Sequence, residues 1–372
     1  MRFFTVIAVA ILPIASLTAQ TSPSVWRLSQ PLVTIGSQSG PVVFGNVVGA
    51  LRQSTGVIVV ADGMSRQLRF FSPTGVPLRT VGRSGSGPGE FQHIKAMQRC
   101  RGDSTFVYDP LSLKIEVFDP DGSRARGIDI RKWAAMGLPP YEFSCNDAGV
   151  FAFVQRDAVI PRILGPRRAS LAITVVQADG RVVNLGSFPA SERYVIETGD
   201  MPRPLGIETS VAIGRRSVYV GTGDYVGAGN AVEVKTFSFG GQSMTSIRGV
   251  RPRVAVTRKH VNQYIALKVA NASAGTNPVL LERAYRDMEY PEVFPAYASL
   301  MVDGSENIWM EGFPIPGRSV RDWMVFSRSG ATVATLRVPS NLRIVEVGTD
   351  YVLGVWRDAV NVDFVKMYSL IK

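Results

Sequence analysis

The residues from Gly56 to Phe91 constrain the fold of this chain more than any other stretch. Val57–Ala61 and Leu68–Phe71 are rich in β-forming residues and predict two neighbouring strands. Ser72–Gly75 predicts a tight turn, because its proline presets φ and its glycine accepts a positive φ. Leu78–Val81 follows as a return strand. Short strands joined by tight turns are stable only as parts of larger sheets, so the sequence predicts an all-β protein.

The turn that ends at Gly75 recurs along the chain, each time after an alternating strand and before a strand-like return. The five copies are FSPTG at 71–75, FDPDG at 118–122, VQADG at 176–180, FSFGG at 237–241 and FSRSG at 326–330. Before each copy lies an inner hairpin with a polar turn and an apolar second strand, and a sixth such hairpin surrounds Gly348. Continuous apolar strands fit sheets that are covered on both faces. The chain therefore predicts a series of small sheets stacked against one another.

The first repeat resembles the NHL repeat, in which a strand ends in V-A-D and consecutive units are joined through G-x-x-G-x-G-P-G-x-F. The matching stretches here are Val60–Asp62 and Gly82–Phe91. The resemblance implies a six-bladed β-propeller that forms a single domain over residues 21–372. NHL repeats usually carry Asn and Arg between the second and third strands, where this chain has Ser65 and Gln67. Because the pattern departs there, no functional residue is carried over from the family.

The two ends of the chain each carry part of one repeat. Residues 25–36 contain a return strand without its hairpin, and the last hairpin stops at Lys372 without a return strand. Pairing of the N-terminal strand with Val362–Leu370 would complete the last blade and remove two open sheet edges. We therefore expect the termini to close the ring.

Residues 1–20 have the features of a secretory signal peptide. Arg2 provides the basic start, Val6–Leu17 provides the apolar run, and Ala19 lies among small residues suited to cleavage. The apolar run is too short for a membrane span and is interrupted by Pro13. The mature protein is therefore expected to be periplasmic or extracellular, soluble, monomeric and not membrane-spanning.

The chain is basic, with a formal net charge of +11. Its charges are spread along the sequence without a basic tail or a nucleic-acid-binding motif, so general surface charge is favoured over a nucleic-acid partner. The sequence contains no G-x-S-x-G elbow for a nucleophilic serine. His93 and His260 are too few for a histidine-rich metal centre. The sequence thus gives no support to these two kinds of catalytic site.

Asp62 and Asp109 end the second strands of consecutive repeats in the same way. Such aspartates can line the ring and bind a cation, or they can cap the turn that follows them. Turn capping is favoured, because no set of Glu, Asn and Asp at matching strand ends stands out as a ligand set. The sequence therefore predicts no metal site and no cofactor, and calcium is the cation that acidic side chains in the channel would bind.

Three insertions interrupt the repeats, at about 156–168, 192–205 and 257–290. The last has apolar residues at helical spacing and Thr257 as a candidate N-cap, so it predicts a helical insert between two late blades. Arginine and aromatic residues in these insertions suit a contact surface, and the ligand-binding candidates are Arg162, Arg167, Arg168, Arg258 and Tyr264. The alternative is that the arginines are solvated surface charges and that the helical insert only caps the channel.

Two classes of function remain open. The first is a non-catalytic binding module that recognises a protein, peptide or glycan through its loops, and the cationic insertions favour an acidic partner. The second is a calcium- or zinc-dependent hydrolase or lactonase with acidic ligands in the central channel. The first is preferred, because the sequence supplies no ligand set for the second.

Cys100 and Cys145 suit an oxidising compartment. Each lies at the end of the first strand of an inner hairpin, in consecutive repeats. Equivalent positions in neighbouring blades are close around a narrow axis, so we expect the two residues to lie near each other. A disulfide and two free thiols both remain open.

Overall fold

The computed structural model describes residues 23–133, 139–156, 160, 162–273 and 275–372. These residues form β-strands, two α-helices, α1 (Arg258–Ala270) and α2 (Pro278–Arg286), and one short 3-10 helix at Arg131–Trp133. The all-β prediction is therefore confirmed, and both α-helices fall within the predicted helical insert. Among the described residues, no helix has the length and apolar character needed to cross a membrane. The predicted signal peptide at 1–20 lies outside the described residues.

Strand pairing arranges most of the described strands into antiparallel meanders of four strands, which we call units 1 to 6. The first strand in the chain, β1 (Ser24–Ile35), belongs to unit 6. Unit 1 contains β2 (Val47–Arg52), β3 (Ile58–Asp62), β4 (Gln67–Phe71) and β5 (Pro77–Val81). The short strands β6 (Arg83–Ser84) and β7 (Glu90–Phe91) lead to unit 2, which contains β8 (Ala96–Cys100), β9 (Ser104–Asp109), β10 (Lys114–Phe118) and β11 (Arg124–Asp129).

The remaining units contain the insertions. Unit 3 contains β12 (Glu142–Cys145), β13 (Phe151–Arg156), β15 (Ser170–Val176) and β16 (Val182–Pro189), and the small sheet beside it contains β14 (Gly165–Arg167), β17 (Arg193–Ile196) and β18 (Gly199–Pro202). Unit 4 contains β19 (Ser210–Ile213), β20 (Ser217–Gly221), β22 (Ala231–Ser238) and β23 (Ser243–Val250), with β21 (Tyr225–Val226) added. Unit 5 contains β24 (Ser299–Val302), β25 (Ile308–Glu311), β26 (Val320–Phe326) and β27 (Thr332–Pro339). Unit 6 contains β28 (Leu342–Val347), β29 (Tyr351–Arg357), β30 (Asp363–Ile371) and β1.

The N-terminal strand β1 lies beside the C-terminal strand β30. The two strands are antiparallel, with Ile35 opposite Val365. Strand β1 also pairs in parallel with β27, with Trp26 opposite Leu336, and so joins units 5 and 6 into one eight-stranded sheet. The second pairing was not expected from the sequence. It leaves the outer edge of unit 5 partly covered.

The apolar core lies between neighbouring units. All five residues of β3 are buried, as expected for a strand that is covered on both faces of its sheet. Between units 6 and 1, for example, Ile35, Val60 and Val355 belong to one cluster of buried side chains. Equivalent clusters lie between the other pairs of neighbouring units. Burial of this apolar surface holds the sheets face to face.

The first strands of the units contact one another in the order β2, β8, β12, β19, β24, β28 and back to β2. They enclose a central channel, and the arrangement is propeller-like. We call the end of the channel formed by the turns after the first and third strands the turn face. We call the opposite end, formed by the connections after the second strands and between units, the insertion face. A hydrogen bond from the Gly63 N–H to the Asn46 carbonyl, at 2.8 Å, joins two such connections on the insertion face.

The predicted insertions all lie on the insertion face and contact one another. Pairing of Gly165 with Val195 joins the first insertion to the second. The N–H of Glu289 donates to the Tyr194 hydroxyl at 3.2 Å and joins the third to the second. Thr257 caps α1, as predicted from the sequence, because its side chain accepts a hydrogen bond from a backbone N–H in the first turn.

Cys100 and Cys145 end the neighbouring first strands β8 and β12. Their Cα atoms lie 5.9 Å apart, and the side chains are joined as a disulfide. This separation is within the range that a disulfide requires. A thiol count under non-reducing conditions tests whether the bond is present in solution.

Candidate functional site

The central channel contains a cavity of about 550 Å³ that opens towards the turn face. Its walls are formed by the first strands of all six units and by the turns that follow them. Charged side chains lie in the wall at several positions along the channel axis, although the strands that carry them are mostly apolar. A cavity of this size is large enough to hold a small ligand.

Glu346 lies at the centre of a hydrogen-bonded group near the turn face. Its carboxylate accepts a hydrogen bond from the backbone N–H of Arg52 at 2.6 Å and another from the Tyr351 hydroxyl at 3.0 Å. A guanidinium nitrogen of Arg99 lies 3.4 Å from the same carboxylate. Burial raises the pKa of the Glu346 carboxyl, and the nearby Arg99 charge opposes that rise. The Glu346 carboxylate is therefore well supplied with donors from the protein.

The side chain of Arg52 differs, because one donor of its guanidinium has no acceptor among the described residues. It lies over the ring of Tyr351, with 4.9 Å between Cζ and the ring centroid. Its Nε is buried and has no hydrogen-bond partner among the described residues. Leaving a buried donor unpaired costs free energy, so such a group in a cavity wall requires an explanation.

Arg99 extends the positive charge of this wall. It donates to the backbone carbonyl of Arg52 at 3.1 Å, and it lies 3.5 Å from the Asp103 carboxylate. The two guanidinium groups therefore lie in the same part of the cavity, on the neighbouring strands β2 and β8, and Glu346 lies on β28 at the other side of β2. We call Arg52, Arg99, Glu346 and Tyr351 the arginine cluster.

A second charged group lies nearer the insertion face. Glu142 begins β12, and Glu208 lies just before β19. Burial raises the pKa of Glu142 to about 7, with a further rise from the Glu208 charge, while Lys95 acts in the opposite direction. The pKa of Glu208 is raised as well, because neighbouring protein reduces the solvation of its carboxyl although the residue as a whole is exposed, and the charge of Glu311 adds to that effect. Within the described residues, neither Glu142 nor Glu208 forms an ion pair.

The predicted candidates in the first insertion have mostly structural contacts. Arg168 donates to the Asp224 carboxylate at 2.7 Å and to the backbone carbonyls of Ala190 and Thr222 at 2.6 and 2.7 Å. Arg167 donates to carbonyl groups of its own loop. Arg162 is exposed. Of these three arginines, Arg162 keeps the most freedom to contact a ligand.

The candidates in the helical insert also divide into two kinds. Tyr264 packs edge to face on Tyr285, with ring centroids 5.8 Å apart, and burial raises its pKa. It contributes to the small aromatic core that joins α1 to α2. Arg258, the first residue of α1, is exposed. The structure thus distributes the five predicted residues over two insertions and engages Arg168 and Tyr264 within them.

The two aspartates at the ends of second strands cap the turns that follow them. Asp62 accepts hydrogen bonds from the backbone of Asn46 and Met64 and from Arg69. Asp109 likewise accepts from the backbone of Leu111 at 3.0 Å. Across the described residues, no group of three or more His, Cys, Asp or Glu side chains is arranged to hold a metal ion.

The contacts of the arginine cluster join residues far apart in the sequence, which is why sequence analysis missed them. Arg52 and Glu346 are 294 residues apart. A local signal did exist: Arg52, Arg99 and Glu346 are charged residues within first strands that are mostly apolar. A charged side chain in such a strand has to face the channel or a polar partner, because the other positions are covered by neighbouring units.

Comparisons with known proteins leave the family open. No protein-family model matches the chain, and no curated protein matches it. Among solved structures, a DUF4221 family member from Bacteroides vulgatus ATCC 8482 is 8% identical, with a TM-score of 0.49 over 94% of this chain and 99% of that one. Virginiamycin B lyase from Staphylococcus aureus is also 8% identical, with a TM-score of 0.44 over 92% and 99%. A Bacteroides fragilis NCTC 9343 protein provisionally described as exported is 10% identical, with a TM-score of 0.46 over 94% and 96%.

These similarities are too weak to carry an argument about activity. The strand pairing and the ring of first strands define the fold, and the channel is the part of the molecule that bears on function.

Proposed function

We propose that this protein is an exported six-bladed β-propeller, similar in architecture to NHL-repeat proteins, and that it binds a small organic acid in its central channel. Each of the units 1 to 6 is one blade in this proposal, and residues 21–372 form one domain. The ring of contacts between first strands supports the blade count. The signal-peptide features of residues 1–20 support export.

The unpaired Nε of Arg52 is the observation that carries the proposal. A ligand carboxylate in the cavity would pair with the Arg52 side chain that lines it, and so give an acceptor to a guanidinium whose Nε has none in the described protein. A guanidinium binds a carboxylate through parallel hydrogen bonds, and a charge-assisted bond of this kind is stronger than a neutral one. Arg99 would contribute a second positive charge beside the same ligand group.

The other charges of the wall limit the ligand further. Glu142 and Asp147 line the same cavity. A simple anion would be repelled by these carboxylates, whereas a ligand that carries hydroxyl or ammonium donors beside its carboxylate could pair with both signs of charge. We therefore favour hydroxy acids, sugar acids or amino acids over inorganic anions.

Calorimetric titration of the purified protein with a panel of such acids tests the proposal. We expect one class to bind and expect Arg52→Ala to weaken its binding by about 10- to 100-fold, as the loss of a charge-assisted hydrogen bond implies. Arg126→Ala is the matched control, because Arg126 lies on the exposed outer strand β11. Equal binding by the wild type and Arg52→Ala, or no binding by any acid of the panel, would contradict the proposal.

Recognition of an acidic protein, peptide or glycan through the first insertion is a weaker proposal. Arg167 and Arg168 already donate to groups of their own fold, so of these three arginines only Arg162 is left to contact a partner. A pull-down that compares the wild type with the triple alanine variant of Arg162, Arg167 and Arg168 tests it.

A hydrolase or lactonase that acts at the other end of the channel is the second candidate function. Glu142 favours it, because this carboxyl group lines the channel and its raised pKa, like that of nearby Glu208, is suited to general acid-base catalysis. Metal analysis of the purified protein would test the calcium- or zinc-dependent form. Stoichiometric metal that is lost in Glu142→Gln would favour this candidate over a binding module.

A further inference from the structure

Exposed apolar side chains are concentrated on the insertion face. The connection between the second and third strands carries at least one in units 1, 2, 3, 4 and 6. They are Met64, Leu111, Ile163, Val226 and Val360, and their exposed fractions are 74%, 66%, 60%, 49% and 67%. Because every first strand runs in the same direction around the channel, the meander topology places all these connections at the same end of the ring.

The helical insert adds to this surface. Leu267 near the end of α1, and Val279 and Leu280 at the start of α2, are exposed large apolar residues. They lie on either side of the loop that joins the two helices. The α1 cap residue Asn271 lies 3.3 Å from Asn361, next to Val360, so the insert and unit 6 present their apolar residues close together.

The turn face provides the contrast. Among the described residues, the turns between first and second strands expose no large apolar side chain, and the turns after third strands expose only Val76. These turns consist of polar residues and glycine, as in Gln53–Gly56 and Asp303–Glu306. Random scatter of exposed apolar residues would not separate the two faces in this way.

The insertion face also carries cations without ion-pair partners. Arg162, Arg258 and Lys259 are exposed, and none of them forms an ion pair with a described residue. The turn face exposes charges of both signs, including Asp147, Asp350, Arg215 and Arg216. The unpaired cations of the insertion face would attract a negative surface to the same face that carries the apolar protrusions.

We infer that the insertion face docks onto an anionic lipid surface, with the apolar side chains of its loops entering the headgroup layer and the cations pairing with lipid phosphates. The chemistry matches that of peripheral membrane binding, which depends on buried apolar area together with attraction to anionic lipids. No transmembrane segment is required for this mode of attachment.

The spacing of the apolar residues favours a lipid surface over a protein partner. They stand on separate connections around a ring, with polar residues between them, as in the Asp62–Gln67 and Asp109–Lys114 connections. A protein interface needs a contiguous desolvated centre with its rim around it. A headgroup layer instead accepts each apolar side chain separately.

Co-sedimentation with vesicles tests the inference. We expect the wild type to pellet with vesicles of equimolar phosphatidylglycerol and phosphatidylcholine, and to bind pure phosphatidylcholine much more weakly, with binding that falls as salt rises. Combined Met64→Ser, Leu111→Ser and Val360→Ser should weaken binding to the anionic vesicles by about tenfold or more, because three exposed apolar groups are lost. The double variant Arg258→Ala and Lys259→Ala should reduce the salt dependence.

The matched control is Val76→Ser, Leu78→Ser and Val182→Ser. These residues are similarly exposed, but they lie in a turn of the turn face and on outer strands. The control should bind anionic vesicles as the wild type does. Equal losses in both triple variants, or a wild type that does not pellet with anionic vesicles, would overturn the inference.

A protein partner would give a different pattern. If the wild type ignores vesicles but self-associates in sedimentation velocity, and the insertion-face variant does not, the face is a protein interface and the lipid inference is wrong. Arg52→Ala separates this inference from the channel proposal, since it should leave vesicle binding unchanged even where it abolishes acid binding.

Discussion

The two faces of the ring differ in how they are built. On the turn face, short polar turns of similar length follow each first strand, and the charged side chains beside them point into the channel. On the insertion face, the connections vary from the short Asp62–Gln67 connection to a two-helix insert of more than thirty residues. Both faces rest on the same sheets, whose apolar contacts are similar from unit to unit.

This comparison separates the parts of the molecule that maintain the fold from those that are free to vary. A connection on the insertion face can lengthen at little cost, because loop entropy rises slowly with length and the sheets already hold its ends. A residue in a first strand cannot vary as freely, because adjacent units cover the strand. A charged residue that persists there, such as Arg52, has a stronger claim to a function than an arginine in a long loop.

Removal of β1 should have the largest effect, because both faces depend on the closed ring. A chain that begins at Ser37 loses the strand that pairs with β30 and β27, together with buried Trp26, Val33 and Ile35. We expect its melting temperature to fall by roughly 10 °C or more, given the cost of losing several large buried side chains. Calorimetry against a chain that begins at Pro23 measures the effect. Equal melting of the two chains would show that β1 does not close the ring.

Removal of the disulfide should have the next largest effect on stability. It tests how much the link between two first strands stabilises the ring. It joins β8 to β12 across a loop of 45 residues. Replacing both cysteines with alanine should lower the free energy of unfolding by about 3–4 kcal/mol, as the loop-entropy model gives for a loop of this length. Urea unfolding with and without reductant measures it. Two free thiols in the non-reduced wild type would contradict the prediction.

The sequence could predict the sheets better than the site, for a physical reason. Repeated turns such as Ser72–Gly75 depend on the φ preferences of Pro and Gly within four residues, and the buried second strands depend on a local apolar pattern. The third strand of each unit and the helical insert were predictable on the same basis. The pairing of β1 with β27 was not, because it depends on how two distant edges meet.

The site depends on contacts that no local pattern records. Arg168 and Arg162 look alike in the sequence, yet Arg168 donates to Asp224 in the connection between β20 and β22, while Arg162 is exposed. The sequence shows only the residue type of each loop arginine, and residue type does not reveal whether a partner is nearby. The arginine cluster forms because the ring brings units 1, 2 and 6 together around one cavity.

Replacement of Glu142 should have an effect of intermediate size on stability. It tests the environment of the channel near the insertion face. Its pKa is raised from the ordinary value of 4.5 to about 7, so the folded state holds the proton more tightly than the unfolded chain does. The resulting stabilisation is present below about pH 4.5 and is lost as the pH rises through about 7. At about pH 8, Glu142→Gln should therefore be more stable than the wild type by roughly 1–2 kcal/mol, and the difference should vanish in acid.

Urea unfolding over a pH series measures the effect of Glu142→Gln. Glu197→Gln is the control, since Glu197 is an exposed carboxylate outside the channel. A stability difference that does not change with pH would show that Glu142 is not held in a desolvated environment. The prediction concerns stability alone and applies whether or not the insertion end has a catalytic role.

The smallest effect is expected for two arginines whose replacement should change the free energy of unfolding with opposite signs. Arg168 on the insertion face has acceptors for most of its donors, so Arg168→Met leaves Asp224 without its partner and should destabilise the fold by about 1 kcal/mol. Arg52 in the channel has a buried Nε without an acceptor, so Arg52→Met removes an unpaired donor while it keeps the packing of the side-chain stem. In the absence of ligand it should stabilise the fold by about 1 kcal/mol, as is common where a site sacrifices stability for binding. Urea unfolding of both variants in the same buffer measures the two signs, and loss of stability in Arg52→Met would show that Arg52 supports the fold and leave the channel proposal without its main observation.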